Sequence, residues 1–477
     1  MNFRTTTALL LALGLAGCSE SPVLPPNGTN PDLASPDLPA PSGPRRVVFF
    51  LGDGMGIATL TAARIYAVGE DGELTIDQLP ETGFVRTYSN DAMVTDSAPS
   101  MSAYMTGVKM NNEVLSMSPD TVADLYGCTA QNGKPVATLL ELAKAAGLGT
   151  GAVTTTRVTH ATPAATYSHI CHRDLENDIA AQAVPGSGNP ALRDGVDVLF
   201  GGGRRHFLPK GQEGSKRGDD RDLTAELQRA GYRYVSDRAG LAALDTSGKA
   251  LGLFTLDHMS YDLDRDPVTE PSLAEMTQKA LAILQRNKKG FFLMVEGGRI
   301  DHALHNTNAA RALQDAVAFD DAIAAALARV DFARTLVIVT ADHDHTMVIN
   351  GYGKRTGATV YDAQTGAVTN AGVLGVVRSY ADGQPAMDLE KQPYGVLGFG
   401  NGENRVAGPR ASVPALSEDV TRGRDYHQEA GVQMDVGGET HGGTDVFIGA
   451  TGRGAEDFHG FMDNVAVFPL LKKAAGL

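Results

Sequence analysis

Three short apolar runs in this sequence each lead into an acidic residue, namely Asp53, Glu296 and Asp342. A single acid at such a place usually caps a helix or lies in a turn. Three are difficult to explain in that way, because the carboxyl ends of parallel strands meet at one edge of a sheet, where ligands bind. Carboxylates gathered at that edge can bind divalent metal ions.

Histidines accompany these acids. His343 directly follows Asp342, and the segment VEGGRIDHALH places Asp301 four residues before His305. Residues four apart share one face of a helix, and carboxylate oxygen with imidazole nitrogen is a ligand set that suits zinc. His441, in GGETHGGTD, adds another imidazole. So many ligands exceed the needs of one zinc ion and predict a two-metal site, in which the ions lie about 4 Å apart.

A serine before a predicted helix is a candidate nucleophile. Asp96 and Ser97 lie in TDSAPS, ahead of the helical segment MSAYMTG. Backbone N–H groups at a helix N-terminus attract anions, although this pair taken alone is more simply a helix cap. The sequence has no Gly-x-Ser-x-Gly elbow, so activation of Ser97 would have to come from a metal ion.

A third segment, residues 154–173, contains His160, Thr162 and Arg173. A guanidinium group can bind two phosphate oxygens at once. A lone arginine is more often a surface charge, so Arg173 gains weight only from the polar residues around it.

These residues need a scaffold that brings distant segments together. From residue 46 onward, short apolar runs alternate with helical segments. The runs that we interpret as strands are 47–51, 151–155, 196–200, 291–295, 336–340 and 446–448, the last of these as the final strand, and the predicted helices include 136–146, 272–286 and 307–330. This alternation predicts an α/β fold, a doubly wound and mainly parallel sheet between helices. Residues 350–437, rich in Gly, Pro, Asn and Asp, predict a loop-rich insertion before His441.

The first strand enters the turn Gly52-Asp53-Gly54-Met55-Gly56. Strand, glycine turn and helix in this order are also typical of a dinucleotide-binding loop. That motif needs a third glycine where Ile57 stands. We therefore interpret the turn as a loop that positions Asp53 as a metal ligand.

The overall charge limits the class of ligand. The chain has 477 residues and a formal net charge of −15. A nucleic-acid binder needs a basic surface, so we expect no nucleic-acid partner. An acidic protein that acts on anions needs a local positive field, which bound metal ions supply.

The first residues predict export and a lipid anchor. Arg4 precedes an apolar stretch, 8–15, and Leu15-Ala16-Gly17-Cys18 resembles a bacterial lipobox. We therefore expect a lipoprotein signal peptide at 1–17, an extended tether at 18–44 and a catalytic domain at 45–477. Ser19 follows the cysteine in place of the aspartate that favours inner-membrane retention, which favours lipid anchoring at the outer membrane or in the periplasm. An ordinary signal peptide with an incidental cysteine is the alternative.

Two further cysteines, Cys128 and Cys171, remain. Outside the cytoplasm a disulfide between them is permitted, and two free thiols are the alternative. The sequence leaves this choice open.

Six motifs, taken together, resemble the alkaline phosphatase family. In chain order they are LGDGMG, TDSAPS, HATPAA followed by Arg173, VEGGRIDHALH, TADHDH and ETHGGTDV. Each motif alone is weakly specific, but six in the family's order are very specific. The resemblance covers about residues 45–477.

The resemblance implies a role for each candidate residue. Ser97 would become phosphoserine, and Arg173, oriented by Asp96, would hold the phosphate oxygens. The implied cofactors are two Zn²⁺ and one Mg²⁺ per subunit. The first zinc would be held by Asp301, His305 and His441, the second by Asp53, Asp342 and His343 beside Ser97, and the magnesium by Asp53, Thr162 and Glu296.

Two positions match animal-type members of the family. His160 and His302 stand where those enzymes carry histidines, and the resemblance implies that they help to bind substrate. With His160 in place of a carboxylate, the identity of the third metal is open. The resemblance further implies a homodimer, with residues 350–437 as a crown-like insertion near its interface.

An extra calcium site of animal-type enzymes is not expected. Phe254 and Glu270 resemble two of its positions, but Thr255 stands where a glutamate ligand is needed.

We therefore predict metal-dependent hydrolysis of phosphate monoesters through a phosphoserine. A phosphodiesterase of the same superfamily is the alternative. A sulfatase would need an arginine where Met101 stands in Ser97-Ala98-Pro99-Ser100-Met101, and a catalytically dead metal-binding lipoprotein would need a missing ligand or nucleophile.

Overall fold

A computed structural model describes residues 45–186, 188–362 and 364–477. The predicted signal peptide and tether, including Cys18, lie outside the described residues. Among the described residues, no helix combines the length and the apolar character that crossing a membrane requires.

The fold is built on one large sheet. Within the described residues it has ten strands in the order β17-β2-β16-β8-β1-β7-β3-β4-β6-β5. The central strands are parallel, and β16 runs antiparallel to both β8 and β2. The strands are β1 (Arg45–Gly52), β2 (Glu81–Arg86), β3 (Gly149–Arg157), β4 (Val198–Gly202), β5 (Tyr232–Val235), β6 (Lys249–Leu253), β7 (Gly290–Gly297), β8 (Thr335–Ala341), β9 (Asp344–His345), β10 (Met347–Ile349), β11 (Val360–Tyr361), β12 (Val368–Asn370), β13 (Leu397–Gly402), β14 (Ala430–Gln433), β15 (His441–Gly442), β16 (Val446–Gly452) and β17 (Gly460–Asp463).

The central strands are apolar because helices cover both faces of the sheet. Residues 47–51 of β1 are fully buried, and every residue of β7 and β8 is buried. Phe50 packs edge-on against Phe319, with ring centroids 5.9 Å apart. Burying one such side chain stabilises the fold by about 1.5–3 kcal/mol.

Helices connect the strands. They are α1 (Ile57–Val68), α2 (Ser97–Thr106), α3 (Leu139–Ala146), α4 (Ala161–Ala164), α5 (Glu176–Gln182), α6 (Leu223–Arg229), α7 (Arg238–Ala243), α8 (Leu273–Leu284), α9 (Arg299–His305), α10 (Ala309–Leu327), α11 (Glu418–Thr421) and α12 (Asn464–Ala475). Ser272 begins α8 with a capping box, because its hydroxyl accepts from the Glu275 amide and the Glu275 carboxylate accepts from the Ser272 amide.

The predicted α/β fold with a mainly parallel sheet is confirmed, and several details differ. Residues 446–448 are not the last strand, because β17 follows. The predicted helix 307–330 begins at Ala309, since Asn308 caps it and the preceding Thr307 has a positive φ of 49°. Strands β2, β5 and β6 of the main sheet were not predicted; in β2, alternating burial gives a weaker signal than a continuous apolar run.

The register of the central strands aligns their carboxyl ends. Leu51 of β1 pairs with Glu296 of β7 on one side and with Thr340 of β8 on the other. Thr154 of β3 pairs with Glu296 in turn. The segments that follow four neighbouring strands therefore leave the sheet at one place.

The segment 350–437 contains only short strands and helices. Strands β10, β13 and β14 form a small three-stranded sheet, and β11 pairs with β12. The highly exposed large apolar side chains of this segment include Tyr352, Tyr380 and Leu389.

Cys128 and Cys171 form a disulfide with an S–S distance of 2.03 Å. The bond closes a loop of 43 residues, which in the chain-entropy view stabilises the fold by about 4 kcal/mol. The sequence left open whether these cysteines pair or stay as free thiols, and the structure has them paired. The disulfide also anchors the chain two residues before Arg173.

Candidate active site

The carboxyl edge of the sheet gathers the predicted acids and histidines. Asp53 follows β1, Glu296 lies near the end of β7, and Asp342 follows β8. Each of these three side chains is fully buried. Asp301 and His305 lie on one face of α9, as their spacing predicted, and β15 pairs His441 with His345 of β9.

The first predicted metal set converges on one point. His305 Nε2 lies 3.2 Å from Asp301 Oδ1 and 3.1 Å from His441 Nε2, and His441 Nε2 lies 3.5 Å from Asp301 Oδ1. Zinc bonds of about 2.0–2.1 Å at tetrahedral angles hold ligand atoms about 3.3–3.4 Å apart. The three side chains therefore fit three corners of a tetrahedral site.

The second set has the same spacing and includes the serine. His343 Nε2 lies 3.4 Å from Asp53 Oδ1 and 3.5 Å from Asp342 Oδ2. Ser97 Oγ lies 3.2 Å from His343 Nε2 and 3.4 Å from Asp53 Oδ1. A serine hydroxyl thus lies among three strong ligands at the separations that a tetrahedral ion requires.

The third set surrounds the other oxygen of Asp53. Thr162 Oγ1 donates to Asp53 Oδ2 at 3.4 Å, and Asp53, His160 and Glu296 bring ligand atoms within 4.8 Å of one another. Thr154 and Thr156 of β3 donate to Glu296 Oε2 and so orient its carboxylate.

Unpartnered buried atoms show that these sets fit cations. Asp342 Oδ2 and Glu296 Oε1 are buried without a hydrogen-bond partner, which is costly unless a ligand supplies one. Burial and the charge of Asp53 raise the pKa of Asp342 to about 7, and the same causes raise the pKa of Glu296 well above its ordinary value. Only a positive ion would keep so many neighbouring carboxylates ionised.

Arg173 lies at the open side of this cluster. Its Nη1 donates to Asp96 Oδ1 at 2.9 Å, and its Nη2 lies 3.0 Å from His160 Nε2. Asp96 also caps α2 by accepting from the Ala98 amide, and it accepts from the Glu113 amide. Asp96 therefore both caps α2 and contacts Arg173.

The remaining predicted residue, His302, lies beside the same opening. Its ring centroid is 5.3 Å from that of His160 and 4.2 Å from that of His258. Burial lowers the pKa of His302 to about 3, so the imidazole is neutral. Thus the structure brings all thirteen predicted site residues to one edge of the sheet.

Comparison with known proteins gives one family. The family model described as "Alkaline phosphatase" matches residues 44–477. Membrane-bound alkaline phosphatase of Bombyx mori is 36% identical over 447 residues, covering 86% of this chain and 76% of the relative. The tissue-nonspecific alkaline phosphatase of Gallus gallus is 37% identical over 449 residues, covering 87% and 81%. The solved structure of Thermus thermophilus alkaline phosphatase has a TM-score of 0.66 at 27% identity, covering 94% of each chain.

The chain belongs to the alkaline phosphatase family. Its expected activity is the hydrolysis of phosphate monoesters, and the enzyme is a phosphoric monoester hydrolase. The phosphodiesterase alternative is not favoured, because these relatives are all named alkaline phosphatases.

Two residues of this alkaline phosphatase were not assigned from the sequence. His345 Nε2 lies 2.8 Å from Asp301 Oδ1, and His345 Nδ1 lies 2.6 Å from Glu439 Oε2. Glu439 also accepts from the Thr346 amide at 2.8 Å. This hydrogen-bonded series from Glu439 through His345 thus orients the carboxylate of Asp301, a predicted metal ligand. The signal was present in TADHDH and ETHGG, since both residues lie two positions from a predicted ligand.

We expect Glu439→Gln to weaken metal binding at Asp301 by roughly 10–100-fold. The amide cannot balance the positive charge on His345. Burial lowers the pKa of His345, but Glu439 and Asp301 together outweigh that effect and raise it to about 10. Zinc titration against a competing chelator measures the loss. Glu429→Gln is the matched control, since Glu429 pairs instead with Arg410. Equal zinc affinity in the two variants would contradict the positioning role.

One glycine of the first turn of the alkaline phosphatase is required by its conformation. Gly54 has a φ of +66°, and a Cβ there would lie 2.5 Å from the His345 ring. Its amide donates to Asp342 Oδ1 at 3.0 Å. The turn whose sequence is also typical of a dinucleotide-binding loop therefore presents Asp53 and orients Asp342.

The residues that resemble calcium positions have protein partners in this alkaline phosphatase. Glu270 accepts from the amide and the hydroxyl of Ser260 at 2.7 and 2.8 Å. Thr255 Oγ1 donates to the Asp257 carbonyl at 2.7 Å, and the Asp257 carboxylate pairs with Arg157 at 2.8 Å.

Proposed function

We propose that Ser97 attacks the phosphorus of a phosphate monoester and becomes phosphorylated, and that water then releases inorganic phosphate from it. The observation that carries this proposal is the position of Ser97 Oγ, 3.2 Å from His343 Nε2 and 3.4 Å from Asp53 Oδ1. His343 Nδ1 faces the backbone carbonyl of Asp344 and not a carboxylate, so the contact lacks the acid of a Ser-His-Asp triad, and Ser97 instead completes a ligand set.

We propose two Zn²⁺ and one Mg²⁺ as the resident ions. The first zinc would be held by Asp301, His305 and His441, the second by Asp53, Asp342 and His343, and the magnesium by Asp53, Thr162 and Glu296. When bound, such ions lower the pKa of coordinated hydroxyl groups and neutralise charge that develops on phosphate oxygens. His160 leaves the third position able to take Mg²⁺ through water or to take zinc.

The protein's own groups orient the substrate. The guanidinium of Arg173 is held by Asp96, so its remaining N–H groups are free to hold two phosphate oxygens. Burial opposes its charge, but Asp96 and Glu113 outweigh that effect and raise the pKa of Arg173 further above its ordinary value. It therefore stays cationic throughout the reaction. Ser97 also begins α2, whose first N–H groups favour an anion.

The test is phosphate release from p-nitrophenyl phosphate, with metal analysis of the same sample. We expect zinc and magnesium in the active protein and a much lower rate with bis(p-nitrophenyl) phosphate. A diester rate above the monoester rate would instead favour the phosphodiesterase alternative.

We also propose a lipid anchor at Cys18 outside the cytoplasm, at the outer membrane or in the periplasm, and a homodimer. The lipobox-like sequence supports the anchor, and the exposed Tyr352, Tyr380 and Leu389 support an interface on the 350–437 insertion. Loss of membrane association in Cys18→Ala tests the anchor, and light scattering after gel filtration tests the dimer.

A further inference from the structure

One arginine beside the candidate active site has no acidic partner. Arg299 begins α9, and among the described residues no carboxylate lies within ion-pair distance of it. Its guanidinium carbon lies 3.8 Å from the ring centroid of Tyr261, and its Nη1 lies 2.9 Å from His302 Nδ1. Its Nε is buried without a hydrogen-bond partner.

The neighbouring arginines differ in this respect. Arg157 pairs with Glu176 at 2.7 Å, Arg173 with Asp96 at 2.9 Å, and Arg311 with Asp264 at 2.6 Å. A half-buried cation without an ion-pair partner is costly, and the buried carboxylate of Asp315 acts on Arg299 only from beyond ion-pair distance. Among these four arginines, Arg299 is therefore the one whose charge remains available to a ligand.

His302 adds a hydrogen-bond donor next to that charge. An arginine can only donate, so the contact with Arg299 makes His302 Nδ1 the acceptor. A neutral imidazole then carries its proton on Nε2. Among the described residues, His302 Nε2 has no hydrogen-bond partner, and His302 is partly exposed. The N–H is thus available to a ligand that enters from solvent.

These groups continue outward from the phosphate-binding arginine. Arg173 Nη2 contacts His160 Nε2 at 3.0 Å, the His160 ring lies 5.3 Å from the His302 ring, and His302 contacts Arg299. His160 is buried, whereas His302 and Arg299 are partly exposed. This row of side chains therefore runs from Arg173 toward solvent.

We propose that Arg299 and the Nε2–H of His302 bind a second anionic group, a carboxylate or a phosphate, carried by the leaving group of the phosphate monoester. The enzyme then prefers esters of anionic alcohols or phenols to esters of neutral ones. This inference rests on the proposed function. The cation of Arg299 would offset part of the repulsion that a chain of net charge −15 exerts on the additional negative charge of such a leaving group.

Arg299 could instead serve only to orient His302. In that case its loss would slow neutral and anionic substrates by the same factor. A second-anion subsite predicts unequal losses, because only one substrate has the group that Arg299 would hold. The ratio of kcat/KM values for two matched substrates therefore separates the two roles.

The experiment compares 3-carboxyphenyl phosphate with phenyl phosphate, whose leaving phenols have similar acidity. We expect the wild-type enzyme to have the higher kcat/KM for the carboxylated ester, mainly through KM. In Arg299→Gln the ratio of the two kcat/KM values should fall roughly tenfold, and Arg299→Lys should restore part of it. Added salt should reduce the wild-type preference.

Arg311→Gln is the matched control. Arg311 lies on the same Tyr261 ring, at 5.6 Å, but Asp264 and Asp425 already neutralise it, so its loss should leave the ratio at the wild-type value. Equal kcat/KM for both esters in the wild type, or an unchanged ratio in Arg299→Gln, would overturn the subsite. Absence of any turnover of phenyl phosphate by the metal-loaded wild type would instead overturn the proposed function.

Discussion

Ser97→Ala is expected to reduce turnover of p-nitrophenyl phosphate by at least about 10³-fold, because the variant lacks the atom that accepts the phosphoryl group. Zinc should remain bound, since Asp53, Asp342 and His343 still surround the second position. The measurements are initial rates at saturating substrate and metal content of the same preparation. Denatured wild-type protein quenched during turnover should carry one labelled phosphate, and the variant should carry none.

Ser102→Ala is a suitable control for this prediction. Ser102 lies on the same helix, α2, and its hydroxyl accepts from the Ser116 amide at 3.0 Å. A cost in stability without a comparable loss of turnover is expected there. If Ser97→Ala kept wild-type turnover, the nucleophile assignment would be wrong.

Removal of metal ions is the second change with a large expected effect. Exhaustive chelation should abolish activity, and zinc together with magnesium should restore it. The physical reason is that Asp53, Glu296 and Asp342 are fully buried next to one another, so without cations they can neither stay fully ionised nor activate Ser97. Rates and metal content during stepwise re-addition measure the effect.

Reconstitution should also depend on pH. Burial and the charge of Asp53 raise the pKa of metal-free Asp342 to about 7, so a metal ion must displace a proton there below pH 7. Zinc should therefore bind more weakly at pH 6 than at pH 8. Asp301→Asn should need more zinc than wild type for recovery, whereas Asp331→Asn, at an exposed position, should not. Full activity in a metal-free sample would exclude the proposed mechanism.

The sequence alone was sufficient for the scaffold and for most of the site. Continuous apolar runs between helices predict buried parallel strands, because only strands covered on both faces can lack polar residues. The acids after three such runs must then meet at one edge of the sheet. Asp301 and His305 were predictable for a local reason, since residues four apart share a helix face.

Other features required the tertiary structure. The alignment of Leu51 with Glu296 and Thr340 depends on strand order, which local patterns do not encode. The disulfide between Cys128 and Cys171 depends on a loop that passes beside the segment leading to Arg173. In both cases residues far apart in the chain become neighbours.

The supporting residues show the same limit. His345 and Glu439 act through a partner from another segment, so their types alone could not separate a ligand from a residue that orients one. Arg299 is an ordinary arginine in the sequence, and only the absence of an ion-pair partner among the described residues makes it a candidate for substrate recognition. The sequence determined which groups could do the chemistry, whereas the packing of distant segments decided what each group contacts.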